Sequence, residues 1–241
     1  QLNSYDIHPI LICNHLENLE GCKYNCVSSD INGSIKCLLD EINTSGKRNI
    51  ALYGVNTNSI SDIGKVDILF SWKDSRIGSV KIFNNDGSLQ KCYESFLPMI
   101  NDFNTVICTN DFAAVSLVRN LTKDVPEALK SITILSMARS IISEYYRNYI
   151  TSVGIDYEQY GKAAVYIYKS IEKHRFISNI MVYVPWSIDK YGALQCKKQA
   201  KLSLPESHDS FYYDDEINEM LKIESNICVE NEEYMLNLGK K

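Results

Sequence analysis

TVICTNDFAAVSLVRNL, residues 105–121, decides the fold. Thr105 to Thr109 form a short β-branched run that reads as a strand. Asn110 and Asp111 follow at once, and both are residue types that favour a helix N-cap. Ala114, Val115, Val118 and Leu121 then recur at helical spacing. A strand that runs directly into a capped amphipathic helix is the repeating unit of a parallel sheet with crossover helices.

Outward from this stretch the same unit recurs. The runs that read as strands are PILIC (9–13), NIALYG (49–54), SVKIFN (79–84), ITILS (132–136), ITSVGI (150–155) and MVYVPWSI (181–188). Between them, a helix is expected after the Ser29 or Asp30 cap. It carries Ile31, Ile35, Leu38, Leu39 and Ile42 on one face and stops at Gly46, followed by Lys47 and Arg48. A second carries Leu89, Cys92, Tyr93, Phe96, Leu97 and Ile100. The last long one, Tyr157 to about Lys173, aligns Tyr160, Ala164, Ile167, Tyr168 and Ile171, an aromatic stripe expected to pack in the core. Beyond Trp186 the chain turns polar and weakly periodic, and the amphipathic piece with Ile217, Leu221 and Ile227 reads as part of a linker or tail.

Composition narrows the function classes. The 241 residues are 45% hydrophobic and 23% charged, ordinary for a globular chain and unlike a disordered or coiled-coil one. With 25 Lys and Arg against 30 Asp and Glu, the formal charge of -5 gives no overall attraction to nucleic acid. No stretch approaches the roughly 18 apolar residues of a membrane helix, and the first residues lack the layout of a secretory signal. A cytoplasmic chain with no membrane contact is expected. The 8 cysteines are read as reduced thiols, with Cys13, Cys37, Cys92 and Cys108 packed in apolar runs. Cys13 and His15, followed by Cys22 and Cys26, lack the paired spacing of a zinc site, so no metal is expected there and Cys22 and Cys26 are read as solvated loop thiols.

In an open parallel sheet, ligands bind where the carboxyl ends of strands meet the following helix N-termini. Four polar loops fall there: Val55 to Ser59; Asn85, Asp86, Gly87 and Ser88; Asn110 and Asp111; and Met137, Ala138, Arg139 and Ser140. Helix capping explains any one of them; four on one edge suggest a binding crevice. No phosphate-binding glycine loop, zinc-protease motif or nucleophile elbow is present. The 4 histidines, His8, His15, His174 and His208, lie outside these loops, which leaves no base for their serines. Neither an enzyme nor any cofactor or metal is expected.

The stretch at 105–121, followed by ITILSMARSIISEYYRNYITSVGIDYEQYGKAAVYIYKSI, resembles the effector-binding core of LacI/GalR-type transcriptional regulators. Ile150, Thr151, Ser152 and Val153, then Asp156, Tyr157 and Gly161, match that family's order without a gap from Ile132. HPILICNH resembles its strand before the interlobe crossing and NIALYG its strand after the first C-lobe helix, so the likeness covers roughly residues 8–188. It implies an α/β, periplasmic-binding-protein-like fold: parallel sheets, flanking helices and two lobes, the N-lobe incomplete. The implied division is a partial N-lobe at 1–28, a C-lobe at 29–148, a crossover segment and N-lobe helix at 149–176, a returning strand at 177–195 and a tail at 196–241.

By position in the family, Asn14, Lys65, Asn110, Ala138 and Arg139 would face the ligand, beside Asp86 and Asp111 from the polar loops. Lys65 stands where the family usually carries an arginine in an Asp-x-x-Arg helix, here Asp62 to Lys65, and Asn14 replaces a frequent aspartate. Ser136, Met137, Ala138 and Arg139 replace a Gly-aromatic-Asp-Asp turn whose carboxylates accept sugar hydroxyls. Arg139 with Lys65 therefore points to a sugar phosphate or carboxylate as well as to a sugar. The implied partners are this small effector, a second copy of the chain, and operator DNA through a helix-turn-helix outside this sequence. The rival classes are a transporter's solute-binding protein and an α/β enzyme using Asp86 or Asp111.

Overall fold

The computed structural model describes residues 9–13, 24–29, 33, 35, 38–39, 48–71, 77–85, 87–174 and 180–188. In chain order the elements are β1 (Ile10–Cys13), β2 (Asn25–Ser29), β3 (Arg48–Val55), α1 (Ile60–Ser71), β4 (Ile77–Asn84), α2 (Leu89–Phe96), a 3-10 turn (Leu97–Asp102), β5 (Thr105–Cys108), α3 (Asp111–Asp124), α4 (Ala128–Ser131), β6 (Thr133–Met137), α5 (Ile141–Tyr145), β7 (Ile150–Ile155), α6 (Tyr157–His174), β8 (Met181–Val184) and β9 (Trp186–Ile188). They build two sheets, a six-stranded one ordered β4-β3-β5-β6-β7-β9 and a three-stranded one ordered β1-β2-β8. All pairings are parallel except β7 with β9. The chain passes from the small sheet to the large one between β2 and β3, returns between β7 and β8, and passes back at Pro185.

The large sheet is buried on both faces because its strands alternate between two apolar clusters. Ala51, Tyr53, Val106, Cys108 and Ile134 join α2 and α3 on one side, where Phe83, Phe96 and Phe103 pack with ring centroids 5.2 to 6.0 Å apart. Ile50, Leu52, Ile107, Leu135 and Val153 meet Leu69 and the helical Ile35, Leu38 and Leu39 on the other. Gly54 lets α3 come this close: its φ is +80°, and a Cβ there would stand 2.8 Å from the Ala113 Cβ. The small sheet has its own cluster, in which Val27 and Val184 pack against Ile155, Tyr160 and Ile167.

Six of the strands lie where β-branched runs placed them, and Cys92 and Cys108 are buried among apolar side chains as expected. The expectation for Cys26 is overturned. It is buried in β2, a strand whose sequence, NCVSS, lacks β-branched enrichment. MVYVPWSI is two strands rather than one, because Pro185 has no N–H to continue a ladder and the chain changes sheet there. The helix expected through Ile100 becomes a 3-10 turn at Leu97, with Pro98 in its first turn. On α6, Tyr160 and Ile167 are buried, but Tyr168 faces solvent, so the aromatic stripe is core only in part. Among the described residues, no helix is long and apolar enough to cross a membrane.

Candidate functional site

The carboxyl ends of β3, β5, β6 and β7 align on one edge of the large sheet, and two buried carboxylates organise the loops there. The first is Asp62. Its Oδ1 lies 3.0 Å from the Lys65 Nζ, and its Oδ2 accepts the Asn56 N–H at 3.0 Å. The Asp62 N–H in turn donates to the Ser59 Oγ at 3.3 Å, so the loop after β3 is wound onto the first turn of α1. Lys65 also donates to the Thr109 carbonyl at 2.9 Å, while the Thr109 hydroxyl donates to the Gly54 carbonyl at 2.8 Å. One ammonium thereby ties α1 to the ends of β3 and β5, with the charges of Lys65 and Asp62 matched and both side chains buried.

The second carboxylate is Asp111, fully buried at the first position of α3. Its neighbour Asn110 is the N-cap, with its Oδ1 accepting the Ala113 N–H at 2.8 Å. Asp111 is turned inward. Its Oδ1 accepts from the hydroxyls of Ser136 and Ser152, the latter at 2.7 Å, and its Oδ2 accepts the Ser140 N–H at 2.6 Å and the Ser140 hydroxyl at 2.7 Å. Hydroxyls from β6, β7 and the turn between them therefore satisfy this anion. The same turn carries Ala138, half-buried, and Arg139, exposed, whose N–H donates to the Ser152 Oγ at 2.7 Å.

The edge thus gathers Lys65, Asn110, Asp111, Ala138 and Arg139, whereas Asn14 and Asp86 lie outside the described residues. Next to Asp86, the Asn85 Oδ1 is buried with no partner among the described residues. Burial, with Cys92 and then Asp111 nearby, pushes the Cys108 thiol well up, so it stays protonated beneath the edge. No group of three His, Cys, Asp or Glu side chains that could hold a metal occurs among the described residues. Sequence reading assigned no role to the hydroxyls of Ser136, Ser140 and Ser152 or to the carboxylate of Asp62. The available signal was a serine at the carboxyl end of an otherwise apolar strand, where a buried hydroxyl must find a partner.

No family model matches this chain. No curated protein matches it either. Solved structures do. The LacI family transcriptional regulator CCPA from Weissella paramesenteroides, solved with bound sucrose, aligns with a TM-score of 0.59 at 22% identity, over 78% of this chain and 70% of that one. A periplasmic binding protein/LacI transcriptional regulator from Alkaliphilus metalliredigens, complexed with D-xylulofuranose, aligns at 0.59 and 15% identity, over 77% of this chain and 70% of that one. The trehalose repressor from Escherichia coli aligns at 0.55 and 15% identity, over 78% and 79%. At these identities the likeness establishes the fold: α/β with parallel sheets and flanking helices, as in the periplasmic-binding-protein-like effector domains of LacI-type regulators.

Proposed function

We propose that this chain is the effector-sensing part of a LacI/GalR-type transcriptional regulator, and that it binds a sugar or sugar phosphate at the carboxyl edge of the large sheet without chemical turnover. The observation that carries this reading is the convergence of the loops after β3, β5, β6 and β7 on one edge. They do so in a fold whose solved neighbours hold sucrose and D-xylulofuranose. Lys65, Asn110, Ala138 and Arg139 would line the site, with Asn14 and Asp86 as further contacts, and the Asn85 Oδ1, buried with no partner among the described residues, supports a ligand that brings hydroxyl donors.

The guanidinium of Arg139 makes a phosphate the finer form of this reading. Asp62 neutralises Lys65, and the serines occupy Asp111, so neither carboxylate stands open to sugar hydroxyls, and Arg139 supplies the positive charge of the turn. The two sheets would be the two lobes, β3 to β7 with β9 forming the large one and β1, β2 and β8 the small one, with a tail at 196–241. Closure of the lobes on the effector would change the geometry of a homodimer and thereby its hold on operator DNA. The burial of Cys26, Cys92 and Cys108 among apolar side chains supports a reducing, cytoplasmic setting over that of an exported solute-binding protein.

A thermal-shift screen of the chain with neutral sugars, sugar phosphates, purines and carboxylic acids tests this reading, because a ligand of the folded state raises its stability by mass action. A rise with a sugar or sugar phosphate is expected. Turnover of any of these compounds would contradict the non-enzymatic reading.

A further inference from the structure

Arg139 adopts a φ of +50°, and among the described residues it is the non-glycine residue with positive φ. That left-handed region suits glycine and, less well, Asn or Asp, whereas an arginine gains nothing locally from it. Such a conformation persists only where the surroundings over-determine it, and it collects at ligand-binding positions. Here the surroundings converge on Asp111. It binds Ser136 at the start of the turn and Ser140 at its end, while Ser152 bridges Asp111 Oδ1 and the Arg139 N–H. Gly154 completes the fit, since a Cβ there would stand 2.3 Å from the Arg139 Cβ and 2.5 Å from the Ala138 carbonyl oxygen.

We propose that Asp111 is a positioning residue that never touches the effector: through Ser136, Ser140 and Ser152 it fixes the turn and presents Arg139, left-handed, to the effector's anionic group. The inference rests on the reading that Arg139 faces an anionic effector. It also explains the choice of carboxylate. Four donors converge on the two oxygens of Asp111, and the Ser140 N–H cannot rotate away. An amide at this position would turn a donor toward a donor or draw the Ser152 hydroxyl off Arg139.

The test compares the full wild-type chain with Ser152→Ala, Asp111→Asn, Arg139→Gln and the Ser152→Ala/Arg139→Gln double variant. Hydrogen exchange is followed on a peptide covering 137–146, and calorimetric titration uses glucose 6-phosphate and glucose as probes. Ser152→Ala, the gentler change should Asp111→Asn fail to fold, is expected to speed exchange of that peptide while leaving 49–54 protected. It should weaken glucose 6-phosphate by about tenfold, as expected when one charge-assisted hydrogen bond no longer forms, with any glucose response kept within about twofold. In the double variant the Ser152 effect should vanish, because there is no arginine left to position. Unchanged exchange over 137–146, equal losses for both probes, or additive losses in the double variant would overturn the proposal. Wild-type chain that binds neither probe overturns the effector reading and the presentation of Arg139 with it. The exchange comparison then decides by itself whether Asp111 holds the turn.

Discussion

Asp62 and Asp111 are both buried at the same sheet edge, and each is satisfied by different means. Asp62 is met by a cation, Lys65, and one backbone N–H; among the described residues Asp111 is met by three hydroxyls and one backbone N–H and by no cation. An ion pair cancels charge, so the Asp62 corner holds two strands and a helix together and adds little field at the edge. Hydroxyls add no charge, and those around Asp111 fix a turn rather than neutralise it. The Asp62 corner is therefore scaffold, whereas the Asp111 corner sets the geometry of an exposed arginine.

The comparison breaks most visibly at Lys65. Lys65→Met leaves Asp62 buried without its cation and should cost about 3–5 kcal/mol in urea unfolding, and adding Asp62→Leu should recover most of it. A loss under about 1 kcal/mol would mean that the pair behaves as a solvated surface bridge. Asp111→Asn should cost less, about 1–3 kcal/mol, because the hydroxyls can reorient and only one donor is left facing a donor. Arg139→Gly should go the other way, raising stability by about 1 kcal/mol as the left-handed strain is relieved while anion binding is lost. If calorimetry shows that variant to be no more stable than wild type, Arg139 is unstrained.

The smallest effect lies away from the edge, between α2 and the last residue of α3. Burial, and then the hydrogen bond its hydroxyl donates to Asp124 at 3.0 Å, hold the Tyr93 proton well above the ordinary 10.0. A raised folded-state value means that stability is intact below 10.0 and falls as the pH climbs toward the folded-state value. Tyr93→Phe should therefore cost about 1 kcal/mol at neutral pH and make the melting temperature fall less steeply above about pH 10. Parallel alkaline curves for the two proteins would assign that loss to Tyr53, whose proton burial holds higher still.

How far the sequence could be read follows from the same physics. Apolar β-branched runs marked the strands that carry the two large clusters, because burial on both faces demands such residues. β2 escaped because Asn25, Ser28 and Ser29 are polar and only Val27 is β-branched and apolar, and its position at the centre of the small sheet is what buries Cys26 to Ser29. At the edge, Lys65, Asn110 and Arg139 were legible one by one. Their linkage was not, because the hydrogen bonds to Asp111 join residues 25 to 41 positions apart, and no local pattern encodes those distances.

The most direct test of the account is a calorimetric titration of the chain with a matched pair, glucose and glucose 6-phosphate, on wild type and on Arg139→Gln. The account predicts that the phosphate binds more tightly than the neutral sugar by about tenfold or more and that Arg139→Gln erases the difference. Equal affinity for the two sugars, or a phosphate preference that survives Arg139→Gln, would contradict it.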